Sequence, residues 1–244
     1  MSGKKVFNRQ STVLAVFAHP DDETFRCGGT LARLARRGTQ VWVLCATRGE
    51  AGIPDLGAEE TGRIREDELR CASLALGIEP PRFLDYRDGT LNQVNEEEAV
   101  AQITAAVQEL RPQVLLTWPP DGISGHSDHV AVSRWTDEVF RQMSEPAALY
   151  HIAMPRSLAQ RLDMTHLHTV SDEAVTLAVD VVEAWEAKWA AIHCHRSQLG
   201  SSPILDASKE KQRLFLGMEH FRLEASRLAE PEEDILQRLK DNHT

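Results

Sequence analysis

The sequence predicts a doubly wound α/β domain built on a mostly parallel sheet. Three observations predict it. Short continuous apolar runs at 13–17, 41–46 and 114–118 have the length and character of strands buried on both faces. Stretches of ten or more residues with helical periodicity alternate with them. Compact ionisable clusters stand just past the first and last of these runs, and in an open α/β sheet ligands gather outside the carboxyl ends of the strands.

Each element follows in order. After strand 13–17 comes Ala18-His19-Pro20-Asp21-Asp22-Glu23. Gly28-Gly29-Thr30 opens a helix over 31–37, which Gly38 ends as a C-terminal cap. Residues 41–46 are the second strand, and 48–60, rich in glycine with one proline, is a long loop. Residues 59–76 form a helix with Ile64, Leu69, Ala72 and Leu76 on one face, ended by Gly77. The third strand is 82–86. Helix 96–110 turns Val100, Ile103, Val107 and Leu110 inward, and 114–118 is the fourth strand. A helix follows His129 to about Met143, then a fifth strand over 149–153. Strands at 176–179 and 219–223 and helices at 184–195 and 209–216 complete the pattern. The charged tail from Glu230 reads as frayed or as a surface helix. With no repeat and no linker, 244 residues suit one domain spanning 1–244.

The net charge of -10 and the lack of a basic patch argue against a nucleic-acid partner, because phosphate binding needs clustered cations. No apolar run approaches membrane-spanning length, and the N-terminus lacks a signal-peptide core. The expectation is a soluble, cytoplasmic protein with no membrane partner. Cys27, Cys45, Cys71 and Cys194 form no CxxC pair and are expected as free thiols in a reducing compartment.

The chemistry concentrates in two places. A carboxylate at a buried strand end is costly unless it is paired or bound to a metal. His19 and Asp22 lie three residues apart on a loop that Pro20 stiffens. About a hundred residues on stands Gly125-His126-Ser127-Asp128-His129, in which His126 and His129 share one side of a helix if it starts at Ser127. A catalytic zinc takes three protein ligands from His, Asp or Glu and leaves a fourth position for water. His129 is the natural third ligand beside His19 and Asp22. Alone, a histidine beside a strand is usually a satisfied core side chain, and an Asp-Asp pair is usually a solvated turn. Their conjunction at two strand ends favours a metal site.

These clusters resemble the LmbE/PIG-L family of zinc-dependent N-acetylglucosaminyl deacetylases, which carry AHPDDE near the N-terminus and HxDHxxV further on. Here the second motif reads His126-Ser127-Asp128-His129-Val130-Ala131-Val132. The resemblance covers most of the chain, with 47–52, 65–68, Leu76-Gly77, Asp88-Gly89 and 195–198 in the family's order. It implies a Rossmann-like sheet sandwiched by helices, with the active site at the C-terminal ends of the strands. It implies zinc, or another divalent metal such as Fe2+, on His19, Asp22 and His129. Asp21 would be the general base and His126, in its protonated form, the oxyanion donor. Asp128 would orient His126, or merely cap the helix. Arg65, Asp88 and Glu50 would contact the sugar. The implied reaction removes acetyl from a small N-acetylglucosamine-type substrate, such as a thiol-glycoside precursor. Alternatives are an amidase of a larger sugar–thiol conjugate, or a non-catalytic metal-binding module. A homo-oligomer is the family expectation.

The chain departs from the family in three places. Arg26 stands where glycine is common and puts a cation near the pocket. Ser127 replaces a common proline, and Ser124 stands where some relatives have a tyrosine. His195 is expected to pack, or to touch the substrate's edge, rather than bind metal. Trp185 and Trp189, four apart, are read as core.

Overall fold

The computed structural model describes residues 11–240. Strand β1 (Thr12–Phe17) is buried along its whole length, as its apolar run requires. Helix α1 (Asp22–Arg36), β2 (Gln40–Thr47), α2 (Ala58–Leu76), β3 (Arg82–Tyr86), α3 (Glu96–Leu110), β4 (Val114–Thr117), α4 (Ser127–Gln142) and β5 (Ala148–Ile152) alternate. The chain continues through α5 (Arg156–Leu162), β6 (Leu177–Asp180), α6 (Trp185–Cys194), α7 (Pro203–Asp206), α8 (Lys209–Leu216) and β7 (Met218–Ser226). One seven-stranded sheet results, in the order β3-β2-β1-β4-β5-β7-β6. The first five strands run parallel, and β7 is antiparallel to both β5 and β6. The strand order reverses at β1, between β2 and β4, where a doubly wound sheet opens its crevice.

The period of two along each strand sorts the core onto two faces. Val13, Ala15, Phe17, Val114 and Leu116 pack with Cys27, Leu31 and Leu34 of α1. Leu14, Val16 and Leu115 face Val100, Ile103 and Val107 of α3 and Val132, Trp135 and Val139 of α4. Trp185 and Trp189 stack against each other and pack on the first of these faces, as a core reading requires. No helix among the described residues is long and apolar enough to cross a membrane.

Four expectations are corrected. Helix α1 begins at Asp22, not beyond Gly28-Gly29; those glycines lie inside it because a Cβ at Gly29 would overlap Val181. Cys71 of α2 and Cys194 of α6 are bonded across 123 residues, so only Cys27 and Cys45 are free thiols. Such a bond is uncommon in a reducing compartment. Of the tail beyond Glu230, residues 231–240 do not fray: Ile235, Leu236 and Leu239 are buried, and the Tyr150 hydroxyl donates to Asp234 at 2.5 Å; the rest of the tail lies outside the described residues. Arg26 lies inside the fold, 4 % exposed, donating to the Phe215 and Ala153 carbonyls. It ties the end of β5 to α8 and puts no cation in the pocket.

Candidate active site

The site lies where β1 and β4 end and α1 and α4 begin. The turn after β1 places three successive acidic side chains in three environments. Asp21, just before α1, has φ of 112°, a conformation that is strained for a residue other than glycine. Its surroundings hold it there. Its N–H donates to Glu23 Oε2 at 3.0 Å, its carbonyl accepts from Thr24 Oγ1 at 2.8 Å, and Arg65 donates to its Oδ2 at 3.2 Å. Burial raises the Asp21 carboxyl; Arg65 opposes this and Asp22 adds to it, leaving it at about 6. That value suits a general base working near neutrality.

Asp22 Oδ2 accepts three N–H groups: Ala18 at 3.1 Å, His19 at 3.0 Å and Trp118 Nε1 at 3.2 Å. Oδ1 is left facing His129 Nε2 at 3.3 Å. Burial disfavours the charge, but His129 and His19 outweigh it and hold the carboxyl well below the usual range. Glu23 turns inward, fully buried, with Oε1 2.7 Å from His195 Nε2. His195 is 1 % exposed and packs beneath α1.

Helix α4 supplies the other side. His129 Nδ1 donates to the Gly122 carbonyl at 3.3 Å, which turns Nε2 toward Asp22. Its ring stacks on Trp118 with centroids 4.2 Å apart. Gly122 has φ +63°, and a Cβ there would overlap that of His129, so the turn requires glycine. The backbone N–H of Asp128 donates to His126 Nδ1 at 3.2 Å, which leaves the proton of the neutral ring on Nε2. Burial and then the charges of His19 and His129 lower the His126 pKa.

Asp128 does not orient His126 through its carboxylate. That group accepts the N–H groups of Gly89 at 2.8 Å and Leu91 at 3.1 Å, and lies 3.2 Å from His19 Nε2. Asp88 Oδ1 also lies 3.1 Å from His19 Nε2. Burial works against a charged His19, but its hydrogen bonds to Asp128 and Asp88, with Asp22 nearby, push the imidazole up to about 10. With Nε2 held in this way, Nδ1 is the nitrogen left on the Asp22 side. His19, His126 and His129 bring ring nitrogens within 4.8 Å of one another, as do the coordinating atoms of His19, Asp88 and Asp128. In the second set both carboxylates already accept backbone N–H groups, from Ala51, Gly89 and Leu91. On the other side Asp22 Oδ1 and His129 Nε2 face only each other, with no backbone N–H on Oδ1, and this side is the better fit to a divalent cation.

The three expected sugar contacts come together, but not as an open wall. Arg65 is 4 % exposed and donates to the carbonyls of Pro20 at 2.5 Å and Gly49 at 3.1 Å as well as to Asp21. A Cβ at Gly49 or Gly52 would strike its guanidinium, so these glycines admit it. Its charge therefore serves Asp21. Asp88 is 4.0 Å from Arg65, and Glu50 accepts the Asp88 N–H at 3.3 Å. Trp118, Glu23 and Gln198 escaped the sequence reading. Trp118 ends the fourth apolar run beside the second cluster, which was the available signal; Gln198 carried only its place in the 195–198 station. Asp21, Asp22, Phe25, Trp118, Gln198 and 201–203 line a cavity of about 280 Å³.

The family described as PIG-L: GlcNAc-PI de-N-acetylase matches residues 14–140. The 1D-myo-inositol 2-acetamido-2-deoxy-alpha-D-glucopyranoside deacetylase of Thermobispora bispora is 32 % identical over 265 residues, covering 87 % of this chain and 88 % of the relative. The N,N'-diacetylchitobiose deacetylase of Pyrococcus horikoshii superposes with a TM-score of 0.67 at 21 % identity, covering 89 % of this chain and 85 % of that one. The 4-carboxy-2-hydroxymuconate hydratase of Pseudomonas putida superposes as well, with a TM-score of 0.67 at 16 % identity, covering 91 % and 99 %. The fold therefore hosts more than one reaction, and the matched motifs carry more weight than the superposition. On its sequence the chain belongs to the PIG-L, or LmbE-like, family of de-N-acetylases.

Proposed function

We propose that this chain is a zinc-dependent hydrolase that removes acetyl from the amine of an N-acetylglucosamine unit in a small glycoside. One observation carries the reading: Asp22 Oδ2 is saturated by three N–H donors while Oδ1 faces only His129 Nε2, directly beside Asp21. His19, Asp22 and His129 would hold the metal. Bound there, zinc supplies Lewis acidity toward the amide carbonyl and makes water nucleophilic near neutral pH.

The residues of the chain do the rest. Asp21 takes a proton from the attacking water and returns it to the leaving amine, the same group serving both steps. Arg65 occupies Asp21 Oδ2 and leaves Oδ1 to face the reaction. His126 donates from Nε2 to the carbonyl oxygen as its charge develops. Its lowered pKa makes this a neutral donor, and the Asp128 N–H fixes the tautomer. This replaces the expected imidazolium. Asp128 holds His19 and, with Asp88, keeps the ring oriented. Asp88 and Glu50, on the loops after β3 and β2, face the substrate hydroxyls, and Arg65 acts on the sugar only through them.

The test is amine release from methyl N-acetylglucosaminide by protein stripped of metal and reloaded separately with zinc or Fe2+. Release that depends on the added metal is expected, and equal release by the stripped protein would refute the assignment.

A further inference from the structure

The Cys71–Cys194 bond ties α2 to the segment that leaves α6. Cys71 is exposed and Cys194 half-buried, whereas Cys27 and Cys45 are buried. A small thiol in solution therefore reaches this pair, while the other two cysteines are shielded. Glu68 stands one turn before Cys71 on α2. It accepts the Ser197 N–H at 2.8 Å and the Ser197 hydroxyl at 2.6 Å. Bond and carboxylate thus clasp the stretch 194–197 to α2. The residues just past the clasp form a wall of the candidate active site. Gln198 and 201–203 line the cavity that holds Asp21 and Asp22, and Gln198 reaches across to the Gly52 carbonyl at 3.1 Å. Within 196–203 only Gln198 is buried, so packing holds this wall weakly and the clasp sets its position. Asp21, Asp22 and His129 are held separately, by Arg65, by the Ala18, His19 and Trp118 N–H groups and by the Gly122 carbonyl.

We propose that Cys71–Cys194 is a thiol–disulfide exchange site, through which low-molecular-weight thiols set how well the cavity holds its substrate. Exposed disulfides are the labile and regulatory ones. A thiolate attacks Cys71 Sγ, the bond between the cysteines breaks, and Cys194 leaves as a thiolate. A second thiolate attacks the outer sulfur of the mixed disulfide and frees Cys71. Two thiols are oxidised to their disulfide, and their electrons and protons end on Cys71 and Cys194. With the bond open, Glu68 alone retains the wall, which then spends part of its time away from the cavity. Only the kinetic readout of this site rests on the deacetylase reading.

The zinc-loaded full chain is equilibrated in buffers of reduced and oxidised glutathione and freed of them under nitrogen. Thiols are counted by alkylation and mass spectrometry, and amine release from methyl N-acetylglucosaminide is measured. Reduced glutathione is expected to open this pair alone. KM should then rise about fivefold with kcat unchanged, as the competent wall position becomes a minor one. Oxidised glutathione should restore it. Cys71→Ser combined with Cys194→Ser should keep the raised KM in every buffer. A KM that follows the buffer in that variant, or that stays constant once the wild-type pair has opened, overturns the proposal. So does a pair that opens only on unfolding, or a fall in kcat, which would put the bond's action on Asp21 instead of the wall. Release of amine by no form refutes the deacetylase reading. Hydrogen exchange then decides the switch: faster exchange at 196–201 on reduction, with 126–129 unchanged, supports it, and equal exchange in both forms overturns it.

Discussion

Residues 12–142 and 148–240 are built on different plans. The first stretch repeats strand and helix four times, all its strands are parallel, and it holds every candidate ligand and acid–base group, at 19–22 and 126–129. The family match, 14–140, falls wholly within it. The second stretch mixes short helices with an antiparallel pair and, among the described residues, gives Gln198 and 201–203 to the cavity but no candidate ligand. Lys188, His195 and Glu219 are buried beside α1 instead. His195 meets Glu23, and Lys188 meets Glu219 at 2.7 Å. Glu219 in turn accepts the N–H groups of Gly29 at 2.9 Å and Thr30 at 2.7 Å, midway along α1. The difference shows a division of labour. Strand ends of the parallel half carry the candidate site, while the other half locks the helix that leads from it.

That division can be broken from either side. The largest effect is expected from His129→Ala, which should lose the metal and all amine release while keeping a cooperative thermal transition; metal analysis beside a melting curve checks both. Asp21→Asn should keep the metal and lower kcat by roughly 10²–10⁴. Wild-type kcat/KM should climb as pH rises through about 6, because the base works only once its carboxyl has lost its proton. In the other half, Lys188→Met strands Glu219 in the interior. It should cost about 3–5 kcal/mol of stability by urea titration, with kcat per folded molecule unchanged. Cys71→Ser should cost about 2–4 kcal/mol, since the bond closes a long loop, again without loss of kcat. A fall in kcat from either change would erase the distinction between the halves. The smallest effect sharpens it within the site. Arg65 lowers the Asp21 pKa, so Arg65→Ala should move the acid limb upward by on the order of one pH unit. A rise in KM without that movement would return Arg65 to the sugar.

The two halves also differed in how far the sequence disclosed them. Strand 82–86 and helices 96–110 and 209–216 were legible to the residue because period and caps agree. Asn95, for example, accepts the Glu98 N–H as a helix cap should. The start of α1 was not legible. Paired glycines argue locally against a helix, and only the crossing of Val181 explains them. Neither the Cys71–Cys194 bond nor the partners of Arg26 and Arg65 has any local signature, since each is made by distant segments meeting in the fold. The chemistry of the site was legible because its two motifs are short and contiguous. Which carboxylate faces which imidazole was not, and Asp128 proved to serve His19.

Asp21 precedes α1 in a left-handed conformation, and Asp22 and Glu23 open the helix about 100° apart, so the three meet Arg65, His129 and the buried His195 in turn. Three acids of similar intrinsic strength thus receive three environments from backbone geometry. The stretch behaves as a reading frame. Inserting or deleting one residue between Pro20 and Phe25 would leave the composition intact yet rotate every role onto the wrong side chain. Length variation among functional relatives should therefore fall in loops such as 48–57 and never in this turn.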